Sequence, residues 1–154
     1  MIAALYDWLL FLHILCAIVW VGGAISLQII AIRVNRRGPA AAYALLGDFE
    51  FVGTRIFMPT SLLLLVLGIW MVSIGPWSFH QTWILLGLAM FAYSFVSGAF
   101  FLSPQLRKTK EVADEKGPDS AEVGELTRRL FIVSRIELVF LVLIVADMVL
   151  KPFL

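Results

Sequence analysis

Long apolar runs separated by short polar segments dominate this chain, and they predict four membrane-spanning helices. The runs cover residues about 5–32, 54–74, 82–102 and 130–150. Each is near or above the ~20 residues that a helix needs to cross a ~30 Å hydrocarbon core. The pattern therefore predicts an all-α, polytopic membrane protein, built as a bundle of four transmembrane helices in a single domain over residues 1–154.

Prolines and short polar segments refine the predicted helix boundaries. Pro39 predicts the start of a short amphipathic helix inside the first connection, and Pro59 is expected to kink the second span. In the third connection, residues 114–118 predict a polar break in the helix. Asp119-Ser120-Ala121-Glu122 has capping-box spacing, so the last helix is expected over residues 120–151 and should overhang the membrane.

Charged residues predict how the four spans are oriented. Lys and Arg concentrate in the connections 33–53 and 103–129, whereas residues 73–82 carry no formal charge and lie among tryptophans. Basic connections are retained in the cytoplasm and Trp accumulates at membrane interfaces, so the first and third connections should be cytoplasmic. Both termini then lie outside a bacterial inner (cytoplasmic) membrane, with Lys151 the one residue that breaks the pattern.

Composition agrees with a location in the lipid bilayer. The 154 residues are 61% hydrophobic and 15% charged, with a mean hydropathy of +0.95. These values lie outside the usual range for soluble domains. Cys16 is the only cysteine, which excludes an internal disulfide and any multi-cysteine metal site. Nucleic-acid binding is not expected, because the basic residues lie beside spans and are interleaved with acids.

His13 is the first candidate for chemistry, because ionisable groups inside a span are costly and often functional. At helical spacing it shares a face with Trp20, Ala24 and Gln28, next to small residues that would admit another helix or a flat cofactor. Two interpretations stay open. His13 is either a ligand or a histidine that hydrogen-bonds a neighbouring helix.

The remaining polar candidates fall near the two membrane surfaces. Asp147 and Lys151 are expected near the outer surface, at a level comparable with His13 and His80. Either these four groups converge on one outer cavity, or Asp147 and Lys151 form only an ion pair at the helix end. The candidates for structural ion pairs are Arg55, Arg135, Glu137 and Asp147. The first three of these would lock the second helix to the fourth near the inner surface.

Short motifs spread along the chain resemble a bacterial integral membrane family of unknown function. They are Leu12-His13-Ile14, Trp20-Val21-Gly22-Gly23, Arg55-Ile56-Phe57-Met58-Pro59, Gly68-Ile69-Trp70, Pro76-Trp77 with His80, Arg135-Ile136-Glu137 and Met148-Val149-Leu150-Lys151-Pro152-Phe153. That family is itself similar to the copper-resistance D-type membrane proteins and the HemJ-type protoporphyrinogen oxidases.

The resemblance implies that the bundle can bind haem b. His13 would be an axial metal ligand, and the expected cofactor site comprises His13, Trp20, His80 and Lys151. The second axial ligand would be His80, a methionine such as Met148 or Met71, the His13 of a second copy, or none. One departure counts against the oxidase reaction. The oxidases carry a lysine at the entry to the third helix and further histidines, whereas this third span begins Thr82-Trp83 and contains neither Lys nor His.

Three functional hypotheses follow. The first is a membrane haem protein that, if it is an enzyme, is a haem-dependent oxidoreductase. The alternative is a non-enzymatic structural or accessory subunit, in a homo-oligomer or a larger membrane complex, because no complete catalytic set is recognisable. Transport of a metal or small solute ranks last, since copper would favour clustered Met, Cys or His ligands.

Overall fold

The computed structural model describes residues 2–152, with Ile2 described by its backbone alone, and these residues are almost entirely helical. The helices are α1 (Ile2–Ala17), α2 (Gly23–Asn35), α3 (Pro39–Ala44), α4 (Leu46–Val52), α5 (Met58–Ile74), α6 (Thr82–Val96), α7 (Ser103–Lys116) and α8 (Ala121–Leu150). Phe153, the last residue of the closing motif, lies outside the described part of the chain. The all-α prediction is confirmed.

Three π-helical turns join these helices into long rods. Ile18–Gly22 links α1 to α2, Gly53–Phe57 links α4 to α5, and Ser97–Leu102 links α6 to α7. The second and third turns lie just before Pro59 and Pro104. A proline inside a helix removes one backbone hydrogen bond and crowds the carbonyl four residues earlier, so a wider turn at that point relieves the clash.

Among residues 2–152, three helical stretches are long and apolar enough to cross a bilayer: Ala3–Asn35, Pro39–Ile74 and Thr82–Lys116. The fourth rod, α8, has 30 residues. Its length is therefore about 45 Å, at a rise of about 1.5 Å per residue. It carries Arg135, Glu137 and Asp147 in its apolar part.

The connections expected at 33–53 and 103–129 are mostly helical. Pro39 does start a helix, with proline in its first turn. α7 continues to Lys116, because its Lys, Glu and Ala residues favour helix, and it ends within the predicted break at residues 114–118. Only Gly117, at φ 86°, ends it. Ser120 then caps α8 as predicted, accepting a hydrogen bond from the Val123 amide at 3.4 Å.

The rods pack in pairs, α1 against α5 and α6 against α8, with further contacts between α2 and α8. Trp20, Phe91 and Leu141 form a buried cluster in the middle of the molecule. Many large apolar side chains point outward, including Val66 and Val149. Such a surface is expected of helices that face lipid.

Both basic connections lie at one end of the molecule, called here the basic end. Arg107 lies in the second turn of α7, and its Nε contacts Glu50 Oε1 of α4 at 2.5 Å. The Tyr43 hydroxyl of α3 donates a hydrogen bond to Asp114 of α7. These contacts join the segment before α5 to the segment before α8.

The first turn of α1, the 75–81 loop and the last turn of α8 meet at the opposite end, called here the terminal end. Trp77 Nε1 donates to the Tyr6 hydroxyl at 3.0 Å, and the Lys151 ammonium lies 4.8 Å from the Trp77 ring centre. Trp77 and Trp83 pack edge to face at 5.3 Å. This aromatic cluster holds the two ends of the described chain and the loop together.

Candidate functional site

A cavity of about 220 Å³ lies between the buried Trp20 and the basic end. Side chains from α2, α4, α5, α6, α7 and α8 enclose it, and most of them are apolar. Small residues such as Ala24 and Ala99 contribute to the space, because a larger side chain at these positions would occupy it. The protein therefore has a partly open apolar pocket in the half of the molecule nearest the basic end.

The walls of this pocket also carry a small group of polar side chains. Ser134 Oγ donates to Gln28 Oε1 at 3.1 Å. Three further atoms, Gln28 Nε2, Ser94 Oγ and Glu137 Oε2, are buried and have no hydrogen-bond partner among the described residues. Ser94 is 0% exposed and Glu137 8%. Buried polar atoms in proteins nearly always have a partner, so these three indicate a place for water or a ligand.

All three π-helical turns contribute to the pocket wall. Trp20 comes from Ile18–Gly22, Gly53 from the second turn and Gly98 from the third. A Cβ atom at Gly98 would lie 3.5 Å from Glu137 Oε1, so this turn packs next to the carboxyl group. π-helical turns inside α-helices are frequent at functional sites. Their coincidence with the polar pocket supports a binding role for it.

His13 does not line this pocket. Its Nδ1 is 3.0 Å from the Leu64 carbonyl of α5, and a Cβ atom at Gly68 would lie 3.1 Å from His13 Cε1. Trp20 instead packs edge to face on Phe91 of α6 at 5.5 Å. The π turn begins between His13 and Trp20 and changes the helical register there, so the two residues of the expected shared face contact different helices.

The polar groups expected to converge at the outer end have separate surroundings. His80 lies in an exposed loop, where its Nδ1 is 3.4 Å from Ser78 Oγ. Asp147 is 6% exposed and faces Gly87 of α6, and neither of its carboxyl oxygens has a partner in the described chain. Asp147 and Lys151 do not form the expected ion pair, because the Lys151 ammonium lies over two tryptophan rings.

The expected inner ion pairs are likewise not formed among residues 2–152. Arg55 and Arg135 are exposed, whereas Glu137 is buried against the pocket. Positions two apart on a helix point in nearly opposite directions at ~100° per residue, which separates Arg135 from Glu137. Arg135 instead lies 5.9 Å from the centre of the Phe131 ring.

The ion pairs that do form are exposed ones at the basic end. Glu125, near the start of α8, accepts hydrogen bonds from Arg128 and Arg129. These two guanidinium groups lower the pKa of Glu125 to about 2. Exposed pairs of this kind contribute little to stability, and they chiefly order the first turns of the helix.

Comparison with known sequences identifies the family to which the chain belongs. A family described as "Predicted integral membrane protein (DUF2269)" matches residues 7–152. The chain belongs to this family. The match confirms the predicted membership of a membrane family of unknown function, and it spans every candidate residue discussed above. No curated protein and no solved structure matches the chain significantly.

For this DUF2269 protein, sequence reasoning found only part of the pocket. Trp20 and Gln28 were placed on one helix face, and both line it. Ser94 and Ser134 were missed, because a lone serine in an apolar helix has no distinctive sequence signal. Glu137 was assigned to an ion pair instead. A signal was available in the run of small residues around Gly98, which the third span shares with the small-residue face of the first.

Proposed function

We propose that the chain crosses the membrane four times, with the basic end in the cytoplasm and both termini outside the inner membrane. α8 is long enough to cross, and its packing along α6 supports a fourth span. The two basic connections share one end of the molecule, as one cytoplasmic side requires. Reporter fusions test this orientation. Green fluorescent protein fused at Gly117 should fluoresce, and alkaline phosphatase fused at the C-terminus should be active. The opposite pattern would refute the orientation.

We infer that the pocket beside Glu137 binds a small lipid-soluble molecule with a hydrogen-bonding group. The observation that carries this is the set of three unpartnered polar atoms in an otherwise apolar wall. An apolar pocket with a few convergent polar groups is the usual form of a ligand site. Membrane proteins also keep buried carboxyl groups mainly where they serve a function.

The wall atoms define the chemistry of the ligand. The Gln28 amide nitrogen donates, the Ser94 hydroxyl both donates and accepts, and the Glu137 carboxyl oxygen completes the set. A compact ring system with a hydroxyl or carbonyl group would satisfy these atoms while its apolar body packs on Trp20 and Leu141. The small volume favours one or two rings over a macrocycle.

Equilibrium dialysis of protein-loaded against empty lipid nanodiscs tests the proposal, with 1-naphthol as the probe and naphthalene as its matched analogue. We expect naphthol to bind above the lipid background and naphthalene to bind at least about tenfold more weakly, because the latter leaves the polar atoms unpartnered. Glu137→Leu should remove this preference. Glu50→Leu, which alters a glutamate outside the pocket's polar group, is the control. Equal binding of both probes would refute the proposal.

Haem binding through His13 is the second candidate. Since a carbonyl can only accept, the contact with Leu64 requires that His13 Nδ1 carries the proton and leaves Nε2 with a free lone pair. Metal-binding histidines are held in this way. The packing around His13 is less suitable for haem binding, because α5 lies against the imidazole ring at Gly68. Neither described cavity includes His13. As packed, the α1–α5 interface does not fit a porphyrin.

A visible spectrum decides between the two uses of His13. Protein expressed with sufficient haem should show a Soret band that His13→Ala abolishes if His13 is a ligand. Absence of a band, with unchanged pocket binding of naphthol, would leave His13 as a hydrogen bond between helices. Membership of a homo-oligomer or larger complex stays a prediction, and native mass spectrometry in mild detergent would test it.

A further inference from the structure

A second, larger cavity forms a groove of about 620 Å³ at the basic end. It lies between the C-terminal end of α2, the short helix α3 and the first turns of α8. Three arginines line it: Arg36, Arg128 and Arg135. This groove, called here the arginine groove, borders the Glu137 pocket, and Ala42, Leu46, Thr127 and Phe131 lie in the walls of both.

The arginine groove has a surplus of positive charge. Asp119 is its only acidic lining residue in the described chain, so three arginines face one carboxylate. Arg128 already contacts Glu125 at 2.9 Å. Arg36 and Arg135 form no ion pair with a carboxylate among residues 2–152. Two guanidinium groups on the groove wall therefore lack an anionic partner in this part of the chain.

Hydroxyl and helix-end groups add to the same surface. Ser120 and Thr127 line the groove, and Ser120 is the N-cap of α8. The N-terminus of a long helix carries partial positive charge and exposes amide donors. Together with planar guanidinium groups, which bind phosphate through two parallel hydrogen bonds, these groups suit a phosphate.

The groove also opens onto the lipid-facing surface. Arg135 lies between Ile132 and Ile136, which are 45% and 44% exposed. Arg135 is about 10 Å further along α8 than Arg128, at ~1.5 Å per residue. The groove thus begins in the polar region and continues beside side chains that face hydrocarbon. A free anion needs no apolar neighbour, whereas a phospholipid places its phosphate and its chains in this order.

We propose that the arginine groove binds the phosphate head group of an anionic phospholipid, with its acyl chains along Ile132 and Ile136. Basic grooves between helices at a membrane surface bind such head groups. The proposal does not depend on ligand binding in the Glu137 pocket or on haem, because Arg36 and Arg135 line the groove and not that pocket.

Thermal stabilisation of the delipidated full chain in detergent tests it, with short-chain phosphatidylglycerol, phosphatidylcholine of the same chain length and inorganic phosphate as probes. We expect phosphatidylglycerol to bind most tightly. Arg36→Gln and Arg135→Gln should each weaken it about fivefold, as expected for one surface arginine near an anionic head group. Arg33→Gln removes a similar charge outside the groove and is the control.

Three outcomes would overturn the proposal. Equal stabilisation by the two phospholipids would show that charge is not recognised, and equal affinity for inorganic phosphate would show a free-anion site. Weakening by Arg33→Gln equal to that by Arg135→Gln would show unspecific attraction. If a glutamine variant unfolds, Arg135→Lys keeps the charge without the two-pronged contact and should retain intermediate affinity. Unchanged naphthol binding in these variants separates this test from that of the pocket.

Discussion

Replacing Glu137 with methionine is expected to stabilise the protein and to remove the preference of the pocket for naphthol over naphthalene. The carboxyl is 8% exposed, and its Oε2 atom has no partner among the described residues. Leaving a buried polar group unpaired costs about 1–3 kcal/mol, and an apolar residue of similar length removes that cost. For a chain of this size the gain corresponds to a rise in Tm of about 2–12 °C.

Stability is measured by thermal unfolding in one detergent, monitored by circular dichroism. Ligand binding is measured separately, with naphthol or naphthalene and protein in nanodiscs. Glu50→Met is the matched control, because Glu50 is partly exposed and contacts Arg107 at 2.5 Å. It should change stability by at most about 1 kcal/mol. An unchanged Tm for Glu137→Met would refute the reasoning and show that water fills the pocket and hydrates the carboxyl. A fall of several degrees would show that Glu137 has a structural partner.

Three further predictions concern the rest of the molecule. A Cβ atom at Gly75 would lie 2.7 Å from the Met71 carbonyl oxygen, whereas one at Gly47 meets open space. Gly75→Ala should therefore lower Tm, and Gly47→Ala should raise it slightly. Lys151→Met removes the cation–π contact with Trp77. Chemical unfolding should show a loss of stability on the order of 1 kcal/mol. The Glu125 carboxyl should titrate near pH 2 by NMR, and since its folded pKa is lowered, its stabilising effect is present above about pH 4.5 and is lost toward pH 2. A titration midpoint near 4.5 would contradict the two arginine contacts.

Much of the helical architecture could be predicted from local chemistry. The apolar runs predicted the long helices, Ser120 predicted the start of α8, and Pro39 predicted a helix in the first connection. The extent of α7 was missed, because a charged segment with good helix formers is equally compatible with a solvated loop. The π turns were missed as well, since they depend on how a proline and its neighbouring helices share space.

The candidate site was harder to predict than the fold. Residue type drew attention to His13 and Glu137 correctly as polar groups within apolar segments, but it could not tell which helix each would face. The structure placed His13 against Leu64 and Glu137 beside Gln28. Which partners meet depends on helix rotation and on the small residues that allow close approach, and neither is encoded within one segment.

By itself, the sequence determined that this protein is helical and belongs in a membrane. Continuous apolar runs must satisfy their backbone hydrogen bonds within the helix when they lie in lipid, so length and hydropathy are sufficient for that conclusion. Only the tertiary structure decided that unpartnered polar atoms of three different helices surround one pocket, and that Arg36 and Arg135 share one groove. Those sites arise from packing between segments distant in the chain, where a single π turn or glycine changes which side chains meet.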